Sequence, residues 1–124
     1  MSDDKEFRKA QMQKFANLLE DVLREINPAT EFTWKKMFGG AGYYADGVMF
    51  AGMYHDHTIG LKLKPDDCEA LLANGGAQGG FGKNTVDVPE TMLTDIASLT
   101  EWVGKSLDYA ASRPPKKKKT KKKK

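Results

Sequence analysis

The stretch Lys36-Met37-Phe38-Gly39-Gly40-Ala41-Gly42-Tyr43-Tyr44-Ala45-Asp46-Gly47-Val48-Met49-Phe50-Ala51 decides the fold. Asp46-Gly47 separates two strand-like runs, Tyr43-Tyr44-Ala45 and Val48-Met49-Phe50-Ala51. That pair predicts a tight type I′ hairpin, because both central residues of such a turn need positive φ. Upstream, Glu31 to Phe38 mixes Phe, Thr, Trp and Met and predicts a strand ending at Gly39-Gly40. Gly39, Gly40 and Gly42 permit a bend or bulge where a side chain would clash, with Met37 and Phe38 anchoring it in the core. Downstream, a turn within His55-Asp56-His57 leads to Thr58-Ile59-Gly60-Leu61-Lys62-Leu63. Alternation there predicts Ile59, Leu61 and Leu63 facing the core, with Thr58 and Lys62 facing out. These runs form an antiparallel meander.

Helical periods flank the meander. From Ser2 to Asn27, Phe7, Ala10, Phe15, Leu18, Leu19, Val22, Leu23 and Ile26 recur mostly at three- and four-residue steps, and Asn27-Pro28 supplies the stop. Pro65-Asp66-Asp67 opens a short helix through Ala73, since proline and acids both suit a first turn. A glycine-rich connector follows Asn74-Gly75-Gly76, then a strand at Thr85-Val86-Asp87-Val88. Met92 and Leu93 pack in a turn leading to the last helix, which begins near Thr94 or Asp95 and runs to Ala111. Its expected inner face is Ile96, Leu99, Val103, Leu107 and Ala110. The expected fold is a two-layer α+β domain over residues 1–112. An antiparallel sheet of about five strands packs against N-terminal, middle and C-terminal helices.

Charge divides the chain. Of 20 basic residues, nine lie in residues 113–124, which contain no acid; the remaining 11 face all 17 acids, a balance of −6 over residues 1–112. Arg113 and Lys116, Lys117, Lys118, Lys119, Lys121, Lys122, Lys123 and Lys124 form a cationic tail, expected to be disordered. Such a tail contacts DNA or RNA through phosphates and released counterions, without reading bases. Its polar alternative is simple solubilisation.

Other classes find little support. No apolar run approaches the roughly 20 residues needed to cross a bilayer, and the acidic start Met1-Ser2-Asp3-Asp4-Lys5-Glu6 lacks the basic end and apolar stretch of a secretory signal. Cys68 is the only cysteine, so no intramolecular disulfide forms, and the expected setting is cytoplasmic. His55 and His57 share a strand face, but Asp56 points away and no further metal ligand can be assigned. Gly79-Gly80-Phe81-Gly82-Lys83-Asn84 suggests a phosphate loop, yet Ala77 and Asn84 stand where glycine and a hydroxyl residue are required. Cys68 with a histidine lacks a third group for nucleophilic catalysis. The expectation is a non-enzyme with no cofactor and no metal. Of the cluster Met37, Phe38, Tyr43, Tyr44, Met49, Phe50, Met53 and Tyr54, most belongs in the core. Adjacent strand residues cannot share a face, so an exposed remainder is expected as a partner or self-association surface.

The stretch from Lys36 to Ala51 resembles the N-terminal domain of the TfoX/Sxy family, which carries a basic-Met-Phe-Gly-Gly-x-Gly segment, an Asp-Gly turn and an apolar strand. The resemblance extends through Leu61-Lys62-Leu63-Lys64, Val88-Pro89-Glu90 and the final helix with Trp102. Its motif residues here are Met37, Phe38, Gly39, Gly40, Gly42, Tyr44, Asp46, Gly47 and Phe50. The resemblance implies a small α+β domain acting by protein contact in transcriptional regulation, because the best-known members regulate natural competence with a cyclic-AMP-responsive activator. Those regulators carry a second, C-terminal domain, whereas twelve residues follow position 112 here. The family implies no catalytic residues. The expected partner is a protein, with DNA or RNA reached non-specifically through the tail, no membrane, and a monomer or weak dimer.

Overall fold

In a computed structural model, residues 2–37, 40–55, 58–79 and 84–112 are described, the side chains of 2–5, 54 and 55 excepted. Helix α1, Ser2–Ile26, buries a stripe of Met12, Phe15, Ala16, Leu19, Val22 and Leu23. It ends where the Asn27 N–H donates to the Leu23 carbonyl and Pro28 follows. Phe7 and Ile26, expected on the inner stripe, are 49% and 38% exposed, and Ala10 is exposed too. Ile26 is exposed because it lines an open groove with Val48 and Leu107; for Phe7 the reason is length. A helix of 25 residues runs about 37 Å, well beyond the roughly 20 Å of a six-residue strand beneath it.

Six strands form one antiparallel sheet in the order β1-β2-β3-β4-β6-β5: β1 Phe32–Met37, β2 Gly40–Ala45, β3 Val48–His55, β4 Thr58–Lys62, β5 Ala77–Gln78 and β6 Thr85–Asp87. The sixth, β5, lies in the stretch expected to be a plain glycine-rich connector. Two residues give too short a pattern to register as a strand. The expected hairpin forms at Asp46-Gly47, with φ of 50° and 85°. Asp46 also joins the hairpin to the start of β1: its carboxylate accepts the Glu31 N–H at 2.9 Å, and its own N–H donates to the Glu31 carbonyl at 2.8 Å.

Among the described residues, all three α-helices pack toward one face of the sheet. That face carries Ala41, Tyr43, Ala45, Phe50, Ala51, Met53, Ile59, Leu61 and Leu63, all buried. Tyr43 reaches α1, its hydroxyl donating to the Met12 carbonyl at 3.0 Å, and burial pushes that hydroxyl's pKa well up. Helix α2, Pro65–Ala73, contributes buried Leu71 and stops at Gly75, whose φ is 102°. Helix α3, Ile96–Ala111, starts on the Asp95 cap and buries Leu99, Trp102, Val103, Ser106 and Ala110. Ile96 is 49% exposed rather than inward; it lies in the first turn, where Met92 of the 3-10 turn Glu90–Thr94 fills the core instead. Thr58, expected to face solvent, is 8% exposed because its hydroxyl donates to the Val88 carbonyl at 2.7 Å.

One irregularity positions everything above it. Tyr43 pairs with Ala51 and Tyr44 with Met49, which leaves Phe50 as an extra residue on β3. Such a bulge removes a carbonyl from the ladder. The Ser106 hydroxyl of α3 lies 2.7 Å from the Phe50 carbonyl and 2.8 Å from the Lys62 carbonyl of β4, sharing its proton between them. Replacing Ser106 with alanine removes both bonds and takes this donor from the buried Phe50 carbonyl, so Ser106→Ala is expected to lower unfolding free energy by about 1–3 kcal/mol in a urea titration.

Candidate protein-contact face

Because β-strand side chains alternate, the motif sends half its residues away from the helices. Lys35 pairs with Gly42, Gly42 with Gly52, Gly52 with Gly60, Gly60 with Asp87, and Asp87 with Ala77. One row thus crosses all six strands and holds three glycines at its centre. A neighbouring row places Thr33, Tyr44 and Met49 side by side, and Met37 pairs with Gly40 on the opposite side of the glycine row.

Glycine is required here for space. A Cβ at Gly40 would overlap the Met53 carbonyl oxygen of β3, so no other residue lets the strands approach so closely. A Cβ at Gly42 would lie 3.0 Å from the terminal methyls of both Met37 and Met49. The two methionines therefore fold over Gly42 and fill the space it leaves. Tyr44 lies beside them with the Lys35 ammonium 5.7 Å from its ring centre, a cation–π distance. Met37, Tyr44 and Met49 are each half-buried, and partial burial raises the Tyr44 pKa. Farther along this face Gly52, Gly60, Thr85 and Asp87 are buried.

The motif residues thus divide by function in the fold. Phe50 is a core residue, Asp46 and Gly47 form the hairpin turn, and Met37, Gly40, Gly42 and Tyr44 build the outer face. Phe38 and Gly39 lie outside the described residues, as do the tail lysines Lys116, Lys117, Lys118, Lys119, Lys121, Lys122, Lys123 and Lys124, and the segments 56–57 and 80–83. Of the described members of the aromatic and methionine cluster, Tyr43, Phe50 and Met53 are core, while Met37, Tyr44 and Met49 are half-buried on the outer face rather than fully exposed. Met37, expected to anchor the bend in the core, lies there because it shares the strand face of Lys35. Two features escaped the sequence reading. Ser106 is a polar residue on an apolar helix face, which a hydrophobic count passes over. The alignment of Gly42, Gly52 and Gly60 needs the strand register: only Gly60 stands in a predicted strand, whereas Gly42 was expected in a bend and Gly52 lies one residue past the expected end of its strand.

Chemistry elsewhere is quiet among the described residues. No group of three or more His, Cys, Asp or Glu residues is placed to hold a metal ion there. The Cys68 thiol donates to the Leu63 carbonyl at 3.4 Å; burial raises its pKa, and the charge of Asp67 adds to that rise against the lowering effect of the hydrogen bond. A raised pKa keeps the neutral thiol, which is the unreactive form. Alkylation of Cys68 by iodoacetamide is therefore expected to run slower than in the urea-unfolded chain, with a rate-versus-pH midpoint higher than that of the unfolded chain.

The fold and this face define a small two-layer α+β domain with helices on one sheet surface and the half-buried Met37, Tyr44 and Met49 on the other. The family model of the TfoX N-terminal domain matches residues 24–110, from the last turn of α1 to the end of α3. The chain belongs to that family. No curated protein and no solved structure matches it.

Proposed function

We propose that this domain is a non-enzymatic regulatory module that works in the cytoplasm through protein contacts, in transcriptional or competence-type regulation. The observation that carries the reading is the outward patch of Met37, Tyr44 and Met49 beside Lys35, on the sheet face opposite the helices. Tyrosine and methionine are enriched at protein interfaces, and unbranched methionine adapts to a partner's shape. Family membership supports a regulatory role. No described helix is long and apolar enough to cross a membrane, which agrees with a role away from the bilayer. The domain requires no cofactor and acts as a monomer or weak dimer.

Photo-crosslinking in cells tests the face directly. A benzophenone side chain replacing Met49 is expected to yield discrete protein adducts that Tyr44→Ala diminishes. The same group at Gln13, on the exposed side of α1, gives none. Equal adducts from both positions overturn the assignment.

The lysine-rich composition of residues 116–124 favours a second, compatible reading, in which the tail binds a polyanion non-specifically. Binding of duplex DNA by the full chain is expected to fall with salt at a log–log slope of about −5 if about six lysines engage phosphates. A chain ending at Ser112 loses that binding. Equal affinity with and without the tail contradicts this reading.

A further inference from the structure

At one end of the layer interface, α1, α3 and the β2–β3 hairpin splay apart and leave an open groove of about 440 Å³. Ile26, Val48, Leu107 and Ala110 give it apolar walls, and Ile26 remains 38% exposed there. Its charged lining is entirely acidic: Asp46 from the hairpin turn and Asp108 from α3, with no lysine or arginine among the lining residues. Helices α1 and α3 end at Ile26 and Ala111, so two sets of terminal carbonyls add the negative poles of two helix dipoles. Negative charge and apolar surface together suit one chemistry well. A lysine side chain has an apolar stem and a cationic head.

The chain itself supplies that chemistry at this spot. Ala111 lines the groove, Ser112 is the last described residue, and Arg113-Pro114-Pro115 followed by eight lysines comes next in the sequence. Twelve residues span at most about 40 Å, so the whole tail lies within reach of both aspartates. Tethering at so short a distance gives an effective concentration in the millimolar range, so a weak contact suffices.

We propose that residues 113–124 dock in this groove, with lysine stems over Ile26 and Leu107 and their ammonium groups at Asp108, Asp46 and the helix carbonyl ends. In that seat the lysines are withheld from phosphates, and a polyanion must displace them from the groove to bind. The seat is an intramolecular competitor that sets the salt and charge conditions under which the tail is released. The competition extends the polyanion reading of the tail; the seat itself stands on the groove and is tested without nucleic acid.

The test uses the full chain carrying Cys68→Ser and Thr120→Cys, with a nitroxide on the new cysteine. At low salt the nitroxide is expected to broaden the amide signals of Ile26, Val48 and Leu107, and 0.5 M salt to abolish this by screening. Asp108→Lys removes the broadening at low salt. Glu69→Lys makes the same charge change on exposed α2 and leaves it intact. In unlabelled chains Asp108→Lys then binds duplex DNA about fivefold more tightly than Glu69→Lys does, at the low end of ordinary coupling between sites. Absence of broadening at low salt overturns the seat, as does broadening spread equally over α2. Broadening without the difference in DNA affinity overturns the competition alone.

Discussion

The bulge at Phe50 is the constraint on which the rest of the structure depends. Neighbouring residues on a strand point to opposite faces, yet Phe50 and Ala51 both turn toward the helices. Only an extra residue in β3 permits this. It sends Phe50 against Phe32, with ring centres 6.4 Å apart, and leaves Met49 on the other side with Tyr44. The freed Phe50 carbonyl is met by Ser106, which also meets Lys62 and so ties α3 to two strands at once. The core and the outer patch are two consequences of one backbone irregularity.

Much of this architecture was legible because it rests on short-range rules. Asp46-Gly47 demanded positive φ at both positions and obtained it, and Pro65 and Asn74-Gly75 marked the ends of α2 by the same kind of local chemistry. The parts that were not legible depend on what lies across the fold. Thr58 is polar and alternates outward, but a carbonyl thirty residues along the chain draws its hydroxyl into a buried bond. Ile96 has the right helical spacing and still faces solvent, because Met92 occupies the core at that end. The outer face was legible only in outline. Alternation required that some of the aromatic and methionine cluster point away from the core. Which residues did so followed from the bulge, which no pattern announces.

Charge is arranged with the same economy. The described body is acidic, and its acids gather where helices end as well as along exposed helix faces; all the excess positive charge follows Ser112. A basic isoelectric point would by itself suggest a DNA-binding fold, but the basic excess lies in residues 113–124 of the sequence. The proposed protein contact through the sheet and the proposed polyanion contact through the tail therefore draw on separate parts of the chain.

Tyr43 and Tyr44 are adjacent, chemically identical and placed on opposite faces, so the most direct measurement compares the unfolding free energies of Tyr43→Ala and Tyr44→Ala. The first removes a fully buried ring stacked near Phe32 and Trp34 and is expected to cost about 3–5 kcal/mol. The second removes a half-exposed ring over Met49 and Lys35 and is expected to cost about 1 kcal/mol or less. Equal losses would mean that the bulge does not divide the motif into a core and a contact face.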